Sequence, residues 1–231
     1  MSVTFLLILL AGSAFLTRNA NGSPHYNFIF PLESSTANVK LTPKKVMNFS
    51  AFTLCVRAFT ELNREYSLFS YATSARTNEL LLLSKSKETF EMFIGDRSVT
   101  ITAKNVHQTW NHVCVTWNSN TGLVGLWMNG VRSVRKSLAK GHTIALGGVV
   151  IIGQDQDILE GGFDASQSFV GELNSVNLWD YLLSPQEIHD AREMKYSAVG
   201  NVIDMGTIKY CLTGDVVVEE ITEPCNINVT C

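Results

Sequence analysis

The stretch Val113–Gly130 reads VCVTWNSNTGLVGLWMNG. Val113 to Trp117 (VCVTW) and Leu123 to Met128 (LVGLWM) are two short runs rich in β-formers. Asn118-Ser119-Asn120-Thr121-Gly122 lies between them, a cluster of residues that favour turns. Asn129-Gly130 follows the second run and is the strongest short hairpin signal in the chain, because both residue types accept the positive φ that a tight hairpin needs. The segment predicts neighbouring antiparallel strands.

The same pattern recurs elsewhere in the chain. Phe52 to Phe59 (FTLCVRAF) is rich in β-formers with partial alternation. Glu79-Leu80-Leu81-Leu82-Leu83 could be helical by composition, but it is short and lies among Thr, Ser and Lys, which favours a buried strand. Gly148 to Gly153 (GVVIIG) is another buried-strand run. One helix stands out. Ser184-Pro185-Gln186-Glu187 is a capping box with proline at the first helical position, and Ile188, Ala191 and Met194 then fall on one face of a helix of about ten residues. Many short strands, regular turns and one short helix predict an all-β fold, a two-sheet antiparallel sandwich or jelly roll. No linker, low-complexity run or repeat of roughly 20–50 residues interrupts it, so one domain is expected.

Composition narrows the function. The chain has 231 residues, 45% of them hydrophobic and 17% charged, with a formal net charge of −3. Such a chain is too apolar for disorder and presents no broad nucleic-acid surface. Val3 to Leu16 is an uncharged apolar run, too short to span a membrane comfortably, and Ala20-Asn21-Gly22 follows as a cleavage site. Residues 1–22 therefore read as a secretory signal peptide, although no Lys or Arg precedes the run. Removing it leaves 209 residues and, without Arg18, a formal charge of −4. Secretion gives meaning to two glycosylation sequons, at Asn48 and Asn228. It also places the cysteines, five in number, in an oxidising compartment where pairing is expected.

The sequence contains no His-Glu-x-x-His, Gly-x-Ser-x-Gly or phosphate-binding glycine loop, and its five histidines are scattered. The chemistry concentrates in Gly153 to Ser168, GQDQDILEGGFDASQS. Asp155, Asp157, Glu160 and Asp164 stand there with Gln154, Gln156 and Gln167, among glycines that suggest a loop. Clustered carboxylates repel one another unless a cation lies between them, and carboxylate and amide oxygens are what Ca²⁺ takes. The absence of Cys and His from the loop argues against zinc. A calcium site and a merely solvated acidic loop are both consistent with this pattern. An EF-hand is not, because the position that needs glycine is Glu160. Asp155-Gln156-Asp157-Ile158-Leu159-Glu160 looks like the Glu-x-Asp-x-x-Glu motif of jelly-roll glycoside hydrolases, with Asp155 and Glu160 as the pair. Their spacing gives opposite strand parity, and the glycines argue against a strand.

His112-Val113-Cys114-Val115-Thr116-Trp117-Asn118-Ser119 matches the signature His-x-Cys-x-Ser/Thr-Trp-x-Ser at every position. That signature belongs to the pentraxin family, which the chain resembles over nearly its whole mature length. Phe28 to Ser34, Phe69 to Thr73, Val134 to Leu138 and Ser166 to Gly171 look like further family blocks. The chain is similar to the short pentraxins, as it lacks the long N-terminal extension of the others. The resemblance implies a division into a signal peptide (1–22), a pentraxin domain (23–218) and a tail with extra cysteines (219–231). It implies a secreted, extracellular pattern-recognition protein of innate immunity, not an enzyme, assembled as a cyclic pentamer. Two calcium ions are implied on one face of each subunit, with the capped helix on the other. Cys55 and Cys114 take the places of the family's intradomain disulfide.

The implied calcium residues are Asn78, Asp155, the backbone carbonyl of Gln156, Asp157, Asp164 and Gln167. Thr77 stands where the family usually has Asp, and Asp155 where mammalian members carry Glu, so the first ion is expected to bind more weakly. The ions are completed by phosphate or carbohydrate oxygens of a ligand. In phosphocholine-binding members a neighbouring pocket holds choline with an aromatic ring and a carboxylate. Leu83 and Ser98 take those places here and supply neither, which leaves phosphoethanolamine, other phosphomonoesters and anionic sugars open. A laminin-G-like adhesive module is the third class, which would form no ring. Cys211, Cys225 and Cys231 remain. A Cys211–Cys225 bridge and an intersubunit disulfide through Cys231 are the expected uses.

Overall fold

The computed structural model describes residues 25–104, 106, 108–195 and 197–221. The expected signal peptide, Cys225, Asn228 and Cys231 lie outside the described residues. In chain order the strands are β1 (His25–Phe30), β2 (Asn38–Thr42), β3 (Ala51–Phe59), β4 (Tyr66–Ala72), β5 (Leu80–Ser86), β6 (Thr89–Ile94), β7 (Arg97–Thr102) and β8 (Asn111–Asn118). They continue as β9 (Leu123–Met128), β10 (Val131–Arg132), β11 (Lys136–Ser137), β12 (Val149–Ile152), β13 (Gly171–Trp179), β14 (Ile203–Asp204), β15 (Lys209–Thr213) and β16 (Val217–Ile221). The helix α1 is Pro185–Arg192. Two antiparallel sheets result. One has the order β10-β9-β8-β3-β13-β1-β16, with β11 on β9 and β14 on β13. The other runs β15-β2-β12-β4-β5-β6-β7. This is the expected all-β, two-sheet jelly-roll sandwich with one short helix.

Side-chain parity explains the layers. In β8, Val113, Val115 and Trp117 face the shared core, as do Phe52, Leu54, Val56 and Ala58 of β3. Leu80 and Leu82 of β5 meet them from the other sheet. The alternate residues are buried as well, on the outer faces. Cys55, Cys114, Trp127 and Trp179 form a second cluster under Leu183, Ile188 and Ala191, so α1 covers the outside of the first sheet. The turn at Asn129-Gly130 has φ of 51° and 85° and joins β9 to β10, the hairpin geometry expected of that pair.

The capping box forms in both directions: Glu187 N–H donates to Ser184 Oγ, and Ser184 N–H donates to Glu187 Oε2 at 2.7 Å. The helix is shorter than its apolar spacing implies. It ends at Arg192, and Met194 lies beyond it with φ of 53°, half-exposed and away from the face of Ile188 and Ala191. A left-handed residue cannot continue a right-handed helix, and this breaks the periodicity.

Cys55 and Cys114 stand directly opposite one another in the β3–β8 register and are joined by a disulfide. His112 is 3% exposed beside it, with Nε2 3.4 Å from Cys114 Sγ. Burial, reinforced by the charges of Arg57 and Arg192, pushes the imidazole down to about 3. The folded value lies below the unfolded one, so the stability from neutral His112 is present above about pH 6.5 and lost as pH falls toward 3. His112→Gln should therefore flatten the loss of stability between pH 7 and pH 4 by about 3 kcal/mol. Chemical denaturation at both pH values measures this, and equal losses in the two proteins would refute it.

Candidate functional site

The acidic segment folds back over the outer face of the seven-stranded sheet, opposite the side covered by α1. Gly153 starts it, with φ of +86°, and a Cβ there would lie 2.2 Å from the Phe30 ring. Glycine is required on both counts. Gln156 ties the loop down. Its N–H donates to Ser70 Oγ and its Nε2 to Ser70 O and Val149 O, while its Oε1 accepts from Glu160 N–H. These bonds fix the Gln156 side chain against the sheet. At the far end Asp164 caps the 3-10 turn Ala165–Gln167 by accepting from Ser166 N–H, which holds its carboxyl below the usual range. Arg64 clamps that turn through Ser166 O at 3.0 Å and Ser168 O at 2.7 Å.

Asp155 is the unusual member. It is 5% exposed, and its Oδ1 is buried with no hydrogen-bond partner. Burial pushes its carboxyl up to about 7; the charge of Asp157 adds to this, Glu65 adds a smaller push, and Lys85 opposes. Asn78 lies on a separate segment leading into β5. Its N–H donates to Asp96 Oδ1 at 3.1 Å, and its own Oδ1 is buried without a donor. A buried carboxylate oxygen and a buried amide oxygen, each lacking a proton donor, are costly to desolvate unless a cation meets them. They are also hard oxygen donors, so the set fits Ca²⁺. Asp157 is exposed at the same loop, and Gln167 donates Nε2 to Glu65 Oε1 at 2.8 Å.

Strand register brings the residues of the expected ligand pocket to neighbouring strands of one sheet. Leu83 of β5 faces Glu91 of β6, and Ser98 of β7 faces Phe93. Leu83 is only 3% exposed, so its side chain does not project into solvent. Ser98 has no charge of its own, but its hydroxyl donates to Glu91 Oε1 at 2.7 Å. Glu91 is the carboxylate that the folded strands bring to Ser98. Sequence reasoning missed it because only the pairing of three strands brings it there.

The other candidates are separated from this site. Glu160 has φ of 62° and bonds Lys40 at 2.8 Å on the surface, whereas Asp155 is buried, so the two carboxylates do not form a matched pair. Cys55, His112 and Cys114 bring ligand atoms within 4.8 Å of one another, but the two sulfurs are bonded to each other. A metal would need them as thiolates. Cys211 is an exposed free thiol on β15, an edge strand, and Asn48 is exposed just before β3. Strand β16 carries the fold through Ile221 by pairing with β1. Among the described residues no helix is long and apolar enough to cross a membrane.

Comparison with known proteins adds four findings. The family model described as the Pentaxin family matches residues 26–220. C-reactive protein of Sus scrofa is 36% identical over 221 residues, covering 95% of this chain and 96% of that protein. Serum amyloid P-component of Rattus norvegicus is 38% identical over 192 residues, covering 83% of this chain and 84% of that one. Among solved structures, the native heptameric SAP-like pentraxin from Limulus polyphemus superposes with a TM-score of 0.75 at 24% identity, covering 85% of this chain and 95% of that chain.

Proposed function

Because this chain belongs to the pentraxin family, we propose that it is a secreted, calcium-dependent pattern-recognition protein. Its ligands are phosphate-bearing or carbohydrate groups on microbial or damaged-cell surfaces. It is a binding protein of innate immunity and not an enzyme. The observation that carries the calcium reading is the buried, donorless oxygen of Asp155 in a loop of carboxylates. Asp155, Asp157, Asp164, Gln167, Asn78 and the Gln156 carbonyl are the proposed ligands of two ions. Bound calcium would present open positions to ligand oxygens, and the protein residues orient that surface.

The neighbouring pocket supports a preference. Leu83 has no aromatic face for a quaternary amine, whereas Glu91 and Ser98 offer acceptors for the N–H groups of a primary ammonium. Phosphoethanolamine is therefore proposed ahead of phosphocholine. Several sites on one face of a cyclic homo-oligomer, expected to be a pentamer, would gain avidity on a repetitive surface.

The test is retention of the secreted protein on phosphoethanolamine, phosphocholine and agarose beads, each with calcium and with chelator. Retention on at least one matrix in calcium and its loss in chelator are expected, with phosphoethanolamine retaining more than phosphocholine. Retention indifferent to chelator would overturn the reading.

A further inference from the structure

Three charged side chains that no sequence motif singles out run from the ion loop across the outer face of the seven-stranded sheet. Glu65 stands just before β4, Lys85 on β5 and Glu91 on β6. Lys85 Nζ pairs closely with Glu65 and lies 3.6 Å from Glu91. Glu65 Oε1 in turn accepts from Gln167 Nε2 at 2.8 Å. An ionised carboxylate can only accept. This contact therefore decides which end of the Gln167 amide faces Glu65: the NH₂ group does, and Oε1 is directed away from it.

We propose that Glu65, braced by Lys85, is a positioning residue that keeps the Gln167 carbonyl oxygen available to a bound calcium ion. The inference rests on the calcium reading above. Outer partners of this kind commonly set the orientation of a metal's direct ligands. Lys85 sits between two carboxylates, so the trio carries one net negative charge and does not repel a cation. Side-chain exposures of 24% for Glu65 and 38% for Lys85 mean that neither is needed to fill the core.

Calorimetric titration of calcium into the intact secreted protein tests this, with wild type, E65Q and the double variant E65Q/Q167E. In E65Q the neutral amide at 65 no longer dictates the orientation of Gln167, and affinity should fall roughly tenfold. The double variant places the carboxylate at 167, where it can accept from the amide at 65 and still offer an oxygen to the ion. It should return to within about threefold of wild type, below the usual loss for a broken outer partner. Melting temperatures in chelator should be alike for all three. E65Q binding calcium as tightly as wild type, or a double variant no tighter than E65Q, overturns the inference alone. A wild type that binds no calcium overturns the calcium reading and this inference with it.

Discussion

Replacing Asp155 with Asn should abolish calcium-dependent retention on ligand beads and, in chelator, make the protein more stable than wild type at pH 8. Both effects come from the same buried oxygen. Asp155 is 5% exposed, and its Oδ1 has no donor. In the absence of an ion, the folded carboxyl keeps its proton up to about pH 7, because burial and the Asp157 charge oppose ionisation. The unfolded carboxyl releases its proton near pH 4. Between these values the folded state binds more protons, so the contribution of this group to stability is fully present below about pH 4 and is lost as pH rises through 7. The displacement corresponds to roughly 4 kcal/mol between the two protonation states.

Calcium reverses the sign of this liability. An ion supplies the countercharge that the site lacks, so it binds the ionised form and stabilises the folded state by mass action. The amide introduced by Asp155→Asn has no charge to desolvate, and the variant should gain roughly 1–3 kcal/mol in chelator at pH 8, with a flatter dependence on pH. It should gain little from added calcium. Thermal melts at pH 5 and pH 8, with and without calcium, separate the two contributions. A variant that is less stable than wild type in chelator at pH 8, or that is still retained on beads in a calcium-dependent way, would refute the argument. Stability given up for a charge that only a ligand can satisfy is the expected mark of a binding site.

The division between what was legible in the sequence and what was not follows the range of the interactions. The VCVTW strand, the Asn129-Gly130 turn and the Ser184–Glu187 capping box are decided by neighbours within a few residues, and each forms as its local chemistry requires. The four-leucine run is buried on both faces: Leu80 and Leu82 meet the shared core, and Leu81 and Leu83 are buried outside it. The acidic loop is contiguous, and so its candidate ligands could be named from one segment. The sheet order was not readable: β12 inserts between β2 and β4, a pairing that no local pattern specifies. Glu65, Lys85 and Glu91 belong to three separate strands or their approaches, and only the folded register makes them neighbours of Gln167 and Ser98. The end of α1 escaped for the opposite reason, since a single left-handed residue at Met194 overrides an apolar spacing that would have continued the helix.

Removing the disulfide should cost much stability and leave calcium binding intact. The bridge joins residues 59 apart, and in the chain-entropy description closing such a loop contributes about 4 kcal/mol. For a domain of this size a loss of that order lowers the melting temperature by roughly 10 °C. The Cys55→Ala/Cys114→Ala variant is the appropriate test, because either single change leaves a free thiol beside His112. The sulfurs are buried under Leu183, Ile188 and Ala191 on the outer face of the nine-stranded sheet. The acidic loop is anchored on the other sheet, through Gln156 to Ser70 and Val149. The shared core of the sandwich lies between them, and the two sites have no partner residue in common, so their effects should be separable. Calcium titration well below the variant's melting temperature should give the wild-type affinity within about twofold, the spread expected of independent sites. A melting temperature lowered by less than about 2–3 °C would show that the bridge contributes little to the folded state's advantage. A large loss of affinity in a variant that is still fully folded would show that the sandwich couples its two outer faces.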